Sequence, residues 1–387
     1  MLPHQAFLHT KHFASLDGLR CFAIVGVIWF HCAHSRGILN KGYLGVDLFF
    51  VISGFLISTL LIREKDENLQ ISLRNFYVRR TLRIFPLYYA CLAFVLLLLP
   101  RFEFHSPHDL DGIDRAAPWL WSYCANIGWL LQATPRIPWP AEFLDLRHFW
   151  SLAIEEHFYL VWPLIVATTG LRQLKRLCCV LCGFSLLSRV IWIMFVSNDS
   201  LMVFQTPFLL DPLAAGAFIA VTAKDGSWTR ALPYAKVIGL ASLIPLIVFF
   251  FTMKGLWASH WLMQSFGISA ASIAFASGIM LAVERGPVSA ISHVVGNPML
   301  RFFGKYSYGL YVTHPIVVGA LGDWVSEPRL LVATGSEILA VICIVGIKLA
   351  ASVLVAVLSW HLLEKHFLKL KSQFSIGVNV SAGHQLA

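Results

Sequence analysis

LDGLRCFAIVGVIWFHCAH (Leu16–His34) is apolar enough to enter a membrane, yet it carries an arginine near one end and a histidine near the other. Arg20 and His31 stand about three turns apart on a helix of ~3.6 residues per turn. They therefore share one face, separated by roughly 16 Å at ~1.5 Å per residue. Such a pair is costly against lipid, so the shared face is expected to look into protein or a water-filled cavity.

Composition extends this reading to the whole chain. Of 387 residues, 57% are hydrophobic and only 13% are charged, with a mean hydropathy of +0.69. A soluble chain carries about twice that charge fraction. The 29 Phe and 13 Trp suit a protein whose rings occupy bilayer interfaces. The expected fold class is an all-α polytopic membrane protein. Its net charge of +9 is assigned to loop topology and not to nucleic-acid binding. The eight cysteines lie mostly in apolar runs and show no disulfide framework. The Cys178, Cys179 and Cys182 cluster is read as small apolar filler, and no metal site is expected.

A bilayer needs ~20 apolar residues per span. Ten candidates satisfy this: 17–36, 43–63, 84–101, 148–169, 174–196, 206–223, 232–252, 261–283, 304–323 and 337–363. Loop charge supports the count. Arg63, Lys65, Arg74, Arg79, Arg80 and Arg83 crowd one loop, and the next but one carries Arg172, Lys175 and Arg176. The loops between are poorer in Lys and Arg, so a ten-helix bundle with both termini cytoplasmic places every basic loop inside. Residues 1–15 show no cleavable signal pattern, so the first span is expected to be an uncleaved anchor. The chain divides into a membrane domain (1–370) and a short cytoplasmic tail (371–387). Its external loop, 102–147, contains Trp119, Trp121, Trp129 and Trp139. Those indoles are placed either to stack on sugar rings or to anchor the loop among headgroups.

Several polar groups sit where a span should have none. GYLGVDLFFVISGFLIS (42–58) puts Asp47 at a depth similar to His31, where a carboxylate can orient an imidazole. RHFWSLAIEEHFYLVWP (147–163) brings His148, Ser151, Glu155, Glu156 and His157 into one outer half, and at least one glutamate must face the interior. GKYSYGLYVTHP (304–315) sets Ser307 and Tyr308 near the cytoplasm and His314 deeper. FYVRRTLRIFPLYY (76–89) supplies Arg79, Arg80 and Arg83, which together with Arg20 would suit a polyphosphate ligand at one cytoplasmic mouth.

The Arg20…His31 pair, GVDLFFVISGFLIS (45–58), RRTLRIFPLYY (79–89), FWSLAIEEHFYLVWP (149–163) and YSYGLYVTHP (306–315) occur in an order that resembles the acyltransferase 3 family of membrane O-acyltransferases. SWHLLEKHF (359–367) matches more loosely, with Lys365 where proline is common. The resemblance implies ten spans and transfer of an acyl group, usually acetyl, from cytoplasmic acyl-CoA to a hydroxyl of an extracytoplasmic or lipid-linked glycan. It implies that His31 is the catalytic histidine, with Arg20, Arg79, Arg80 and Arg83 holding the donor. Asp47 and Glu155 or Glu156 are candidates for orienting His31 or binding the acceptor. No cofactor is expected to be bound, acetyl-CoA being a co-substrate. The implied setting is a bacterial inner membrane, alongside polysaccharide-building machinery. In TPFLLDPLAAGAFIA (206–220), Leu209 stands where many members carry arginine, so Asp211 is expected to lack its usual partner. Some members carry an additional extracytoplasmic hydrolase-like domain, for which this length leaves no room. The rival reading is a proton-coupled transporter of a glycan intermediate or organic anion, since intramembrane His, Asp and Glu suit that role as well.

Overall fold

The computed structural model describes residues 13–32, 42–98, 101, 115–132, 146–195, 204–253, 255–256, 259–284, 294–322 and 324–374. Among them there is no strand, and the elements are helices in chain order: α1 Ala14–Cys32, α2 Leu44–Asn68, α3 Leu73–Ala93 (prolonged by a π turn, Phe94–Leu98), α4 Ala125–Gln132, α5 Phe149–Thr168 and α6 Leu171–Phe195. Then follow α7 Leu210–Lys224, α8 Trp228–Thr252, α9 Ile268–Glu284, α10 Pro298–Ala320, α11 Glu327–Thr334, α12 Glu337–Ser359 and α13 Lys365–Leu370, the last two joined by a π turn, Trp360–Glu364. In hydrocarbon only helices and closed barrels satisfy every backbone group internally, and the helix does so within a single segment. This is an all-α polytopic membrane protein.

Among the described residues, eight helices are long and apolar enough to cross a bilayer. The other two expected spans coincide with α5 and α10, of 20 and 23 residues. Those two fall short in apolar character because Glu155, Glu156 and His157 interrupt one, and Arg301, Lys305 and His314 the other. The helices least like membrane spans thus carry Glu155, Glu156, Ser307, Tyr308 and His314 among the candidate residues.

The stretch between the second and third expected spans is helical where a loop was expected. α2 runs on to Asn68, Leu69 turns the chain with φ 59°, and Ser72 caps α3 by accepting from the Asn75 amide at 3.4 Å. Arginine is a good helix former, so Arg79, Arg80 and Arg83 ride on the first turns of α3 rather than in a loop. The loop expected to be external likewise contains helix, over 115–121 and in α4; Trp139 and much of the remaining loop lie outside the described residues.

Side-chain pairings give the helix directions. Ser53 meets Glu155 and Trp162 donates to Ser58 at 2.8 Å, so α2 and α5 run parallel. Asp17 backs onto Gly304 while His31 meets His314, so α1 and α10 do too. At the core α2 crosses α7 at backbone contact: a Cβ on Gly54 would sit 1.9 Å from the Leu213 carbonyl oxygen, and one on Gly216 2.0 Å from that of Val51. Small residues allow this approach, the usual device where dispersion and not the hydrophobic effect drives helix association. α8 lies outermost, with an almost wholly exposed apolar surface.

Gly54→Ala and Gly216→Ala are expected to lower the detergent-solubilised melting temperature, at a cost of about 1–3 kcal/mol for overpacking. Gly183→Ala is the control: nothing lies within 4 Å of that Cβ. Thermal unfolding of the three variants checks this.

Candidate functional site

Three cavities line up through the bundle. The first, ≈1820 Å³, opens at the basic end and is lined by Arg20, Arg63, Arg80, Arg83, Arg301 and Lys305, among others. The second, ≈710 Å³, is central and is walled by Ser53, Glu155, Glu156, Tyr159, Ser307 and Tyr308. Arg20, Ser53, Arg80, Arg83 and Tyr308 border both. The third, ≈1160 Å³, lies at the opposite end and contains His31, Asp47 and His148. Val46 and Tyr311 form its wall with the central cavity. Neighbouring cavities thus follow one another from an arginine cluster to His31, the last two separated by Val46 and Tyr311.

At the basic end the arginines divide. Arg20 lies 3.4 Å from Asp17, one turn earlier. Arg80 stacks its guanidinium 4.1 Å from the centre of the Tyr159 ring, and its buried Nε makes no hydrogen bond. Arg83 faces both cavities. Arg79 lines neither: its Nη2 donates to Glu64 Oε2 at 2.9 Å and its Nη1 to the Phe374 carbonyl at 2.8 Å. The 79/83 helical face reaches the cavity only through Arg83, because the buried Glu64 carboxylate draws Arg79 sideways.

In the central cavity both glutamates face inward. Glu155 accepts from Ser53 Oγ at 2.8 Å and from Tyr159 OH at 3.0 Å. Glu156 Oε1 is buried without a hydrogen-bond partner. Their neighbour His157 turns instead to Thr206 Oγ1, at 2.7 Å. Tyr308 donates to the Ile84 carbonyl at 2.5 Å, tying α10 to α3, and Ser307 stands beside it on the wall.

At the far end His31 meets His314 rather than Asp47. His314 Nε2 lies 3.3 Å from His31 Nδ1, and Asp47 shares the cavity with His31 from the first turn of α2. Local backbone chemistry sets the proton positions. Pro315 has no N–H, so the Tyr311 carbonyl one turn back loses its helical donor. His314 Nδ1 lies 2.9 Å from that oxygen and 3.0 Å from the Leu310 carbonyl, so this nitrogen carries the proton. His314 Nε2 is then an acceptor. His31 Nδ1, which faces it and the Val27 carbonyl at 2.9 Å, must donate. That leaves His31 Nε2 as the basic nitrogen. His148 packs edge-on to His314, with ring centroids 5.6 Å apart, and its carbonyl receives the Ser151 and Tyr311 hydroxyls at 3.0 and 3.1 Å. Trp129, Trp150 and Phe204 form one wall of this cavity, Phe204 lying 4.8 and 4.7 Å from the two indoles.

Asp211 does have a partner, against expectation. Arg189 of α6 grips it in a fork, Nη1 to Oδ1 at 2.8 Å and Nη2 to Oδ2 at 2.7 Å, and Ser269 of α9 donates to Oδ2 at 2.6 Å. The arginine comes from a different helix than position 209 would supply. Arg189 was hidden in the sequence by the apolar run around it; a single cation inside a predicted span was the available signal.

The profile of an acyltransferase domain matches residues 13–361. The chain belongs to the acyltransferase 3 family. It is 30% identical over 374 residues to a Staphylococcus aureus (strain COL) protein named "Putative O-acetyltransferase SACOL0978", covering 93% of this chain and 58% of that one. It is 33% identical over 326 residues to O-acetyltransferase OatA of Staphylococcus aureus (strain NCTC 8325 / PS 47), covering 80% of this chain and 51% of that protein. The chain thus spans about half the length of the curated relatives it matches. No solved structure matches it significantly.

The Arg189–Asp211 pair is 1–2% exposed, so breaking it leaves a buried charge. Arg189→Met is expected to cost about 3–5 kcal/mol, and Arg189→Met with Asp211→Leu far less. A double-mutant cycle on detergent melting temperatures measures the difference.

Proposed function

We propose that this acyltransferase 3 chain is an O-acyltransferase that carries an acyl group, acetyl by default, from acyl-CoA at the basic end to a glycan hydroxyl at the histidine end. In this reading the basic end is the cytoplasmic face of a bacterial inner membrane, with both termini on that side and ten crossings. The observation that carries the reading is the row of three adjacent cavities, sharing walls from Arg83 to His31. Arg20, Arg80 and Arg83 hold the donor's phosphates, for which planar, permanently charged guanidinium forks are suited. The pantetheine arm enters past Ser53, Glu155 and Tyr308. The acceptor sugar lies against Trp129, Trp150 and Phe204, whose apolar faces suit a pyranose ring.

Chemistry follows from the His31 tautomer. Nε2 takes the proton of the acceptor hydroxyl while its oxygen attacks the thioester carbonyl. The C–S bond breaks, and the departing thiolate receives that proton from His31. Attack by Nε2 itself, giving a transient acyl-imidazole, uses the same nitrogen. His314 acts through His31: it holds Nδ1–H in place, as a carboxylate does in other histidine bases. Asp47, in the same cavity, is the candidate to bind the acceptor or stabilise the imidazolium.

His31→Ala is expected to lower transfer by ~10²–10⁴-fold, the scale of general-base catalysis. His314→Phe should lower kcat and leave the donor KM unchanged. The assay is mass analysis of surface glycans, or of a purified acceptor, from cells with each variant at matched protein level. A gain of one base-labile acetyl group in wild type alone supports the proposal. An acceptor relocated without change of mass would make the chain a transporter.

A further inference from the structure

Seven cationic side chains but only two carboxylates line the ≈1820 Å³ cavity at the basic end, among the described residues. Its carboxylates are engaged: Asp17 with Arg20, and Glu364 as acceptor from Ser359 Oγ at 3.0 Å. One of the seven is Lys371, in a 3₁₀ turn, Lys371–Phe374, that follows α13. In the sequence Lys371 is only the first residue of the short tail, 371–387. Here the turn is pinned over the start of α3, because Arg79 joins the Phe374 carbonyl to the Glu64 carboxylate. Glu64 is itself 2% exposed and also accepts from the Ser72 amide at 2.8 Å. The clamp is thus anchored in the body of the protein and not at its surface.

We propose that Lys371, carried to the cavity rim by this clamp, is a phosphate ligand of the acyl donor, and that Arg79 is its positioning residue. The inference rests on the donor reading given above. Around Lys371, α3 presents Arg79, Arg80 and Arg83, α1 Arg20 and Asp17, α2 Arg63 and Glu64, α10 Arg301 and Lys305, and the neighbouring turns Lys369 and Glu364. Among the described residues no carboxylate pairs with the Lys371 ammonium, and clustered cations of this kind call for an anion. Burial, then the charges of Arg83, Arg80 and Arg79, bring this ammonium down to about 8. Without donor it is mostly charged at neutral pH and mostly neutral one to two units above pH 8. A bound polyphosphate favours the charged form. Donor affinity should therefore fall as pH rises through 8, and binding at pH 8.5 should take up a proton.

Titration calorimetry of the purified full chain at pH 8.5, in two buffers of different ionisation enthalpy, reads both effects with acetyl-CoA as the probe. The wild type should bind with proton uptake. Lys371→Met should bind about tenfold more weakly with no uptake, the scale of one charge-assisted hydrogen bond. S-acetylpantetheine, which has no phosphates, should bind both alike. Lys371→Arg should bind acetyl-CoA as tightly as wild type without proton uptake, a result that misfolding does not produce. A Lys371→Met chain that matches wild type in affinity and uptake would overturn the role of Lys371 alone. A wild-type chain that does not bind acetyl-CoA would overturn the donor reading, and this inference with it.

Discussion

Charge in hydrocarbon is the constraint from which this structure follows. A guanidinium, carboxylate or imidazole on a membrane helix must be turned inward, paired or given water. α1, α3, α5 and α10 each carry such groups, and those four helices with α2 supply nearly all the walls of the central cavity. Outward surfaces of α6, α8 and α12 are left to Val, Ile, Leu and Phe. Burying the polar groups together produces a row of cavities with a charge profile: cations at one end, glutamates and hydroxyls in the middle, histidines and aromatic rings at the other.

Two kinds of polar contact share that interior. Arg189 with Asp211 and Arg79 with Glu64 are closed pairs, satisfied by one another and by neighbouring donors. They fix helices: α6 to α7 and α9 in one case, α2 to α3 and to the 3₁₀ turn after α13 in the other. Arg80, Arg83 and Glu156 are less completely satisfied, and they face the cavities. That contrast separates scaffold from site better than residue type does, since both classes contain arginine and carboxylate.

Much of this was legible in the sequence. Runs of apolar residues located the eight described helices that are long and apolar enough to cross a membrane, and the inward turn of at least one glutamate followed from adjacency alone. Pairings between distant helices were not legible. His31 and Asp47 sit on consecutive helices, so that pair was visible; His31 and His314 are 283 positions apart, and only packing brings them together. Asp211 was expected to lack its arginine because Leu209 occupies the place two residues upstream, whereas Arg189 arrives across a helix interface. The 79–83 stretch looked like a cluster because periodicity places both arginines on one face. It does not reveal that Glu64 diverts one of them. Trp129 was open between sugar stacking and headgroup anchoring, and in the structure it lines the His31 cavity beside Phe204.

The central claim is that donor and acceptor meet through one passage from opposite faces of the membrane. Reconstitution into sealed vesicles of known orientation, with radiolabelled acetyl-CoA on one side and an impermeant glycan acceptor on the other, tests it directly. The account predicts labelled acceptor when acetyl-CoA is on the Arg83 side and the glycan on the His31 side, with CoA remaining where it was added. Labelling only when both substrates share one face would contradict it.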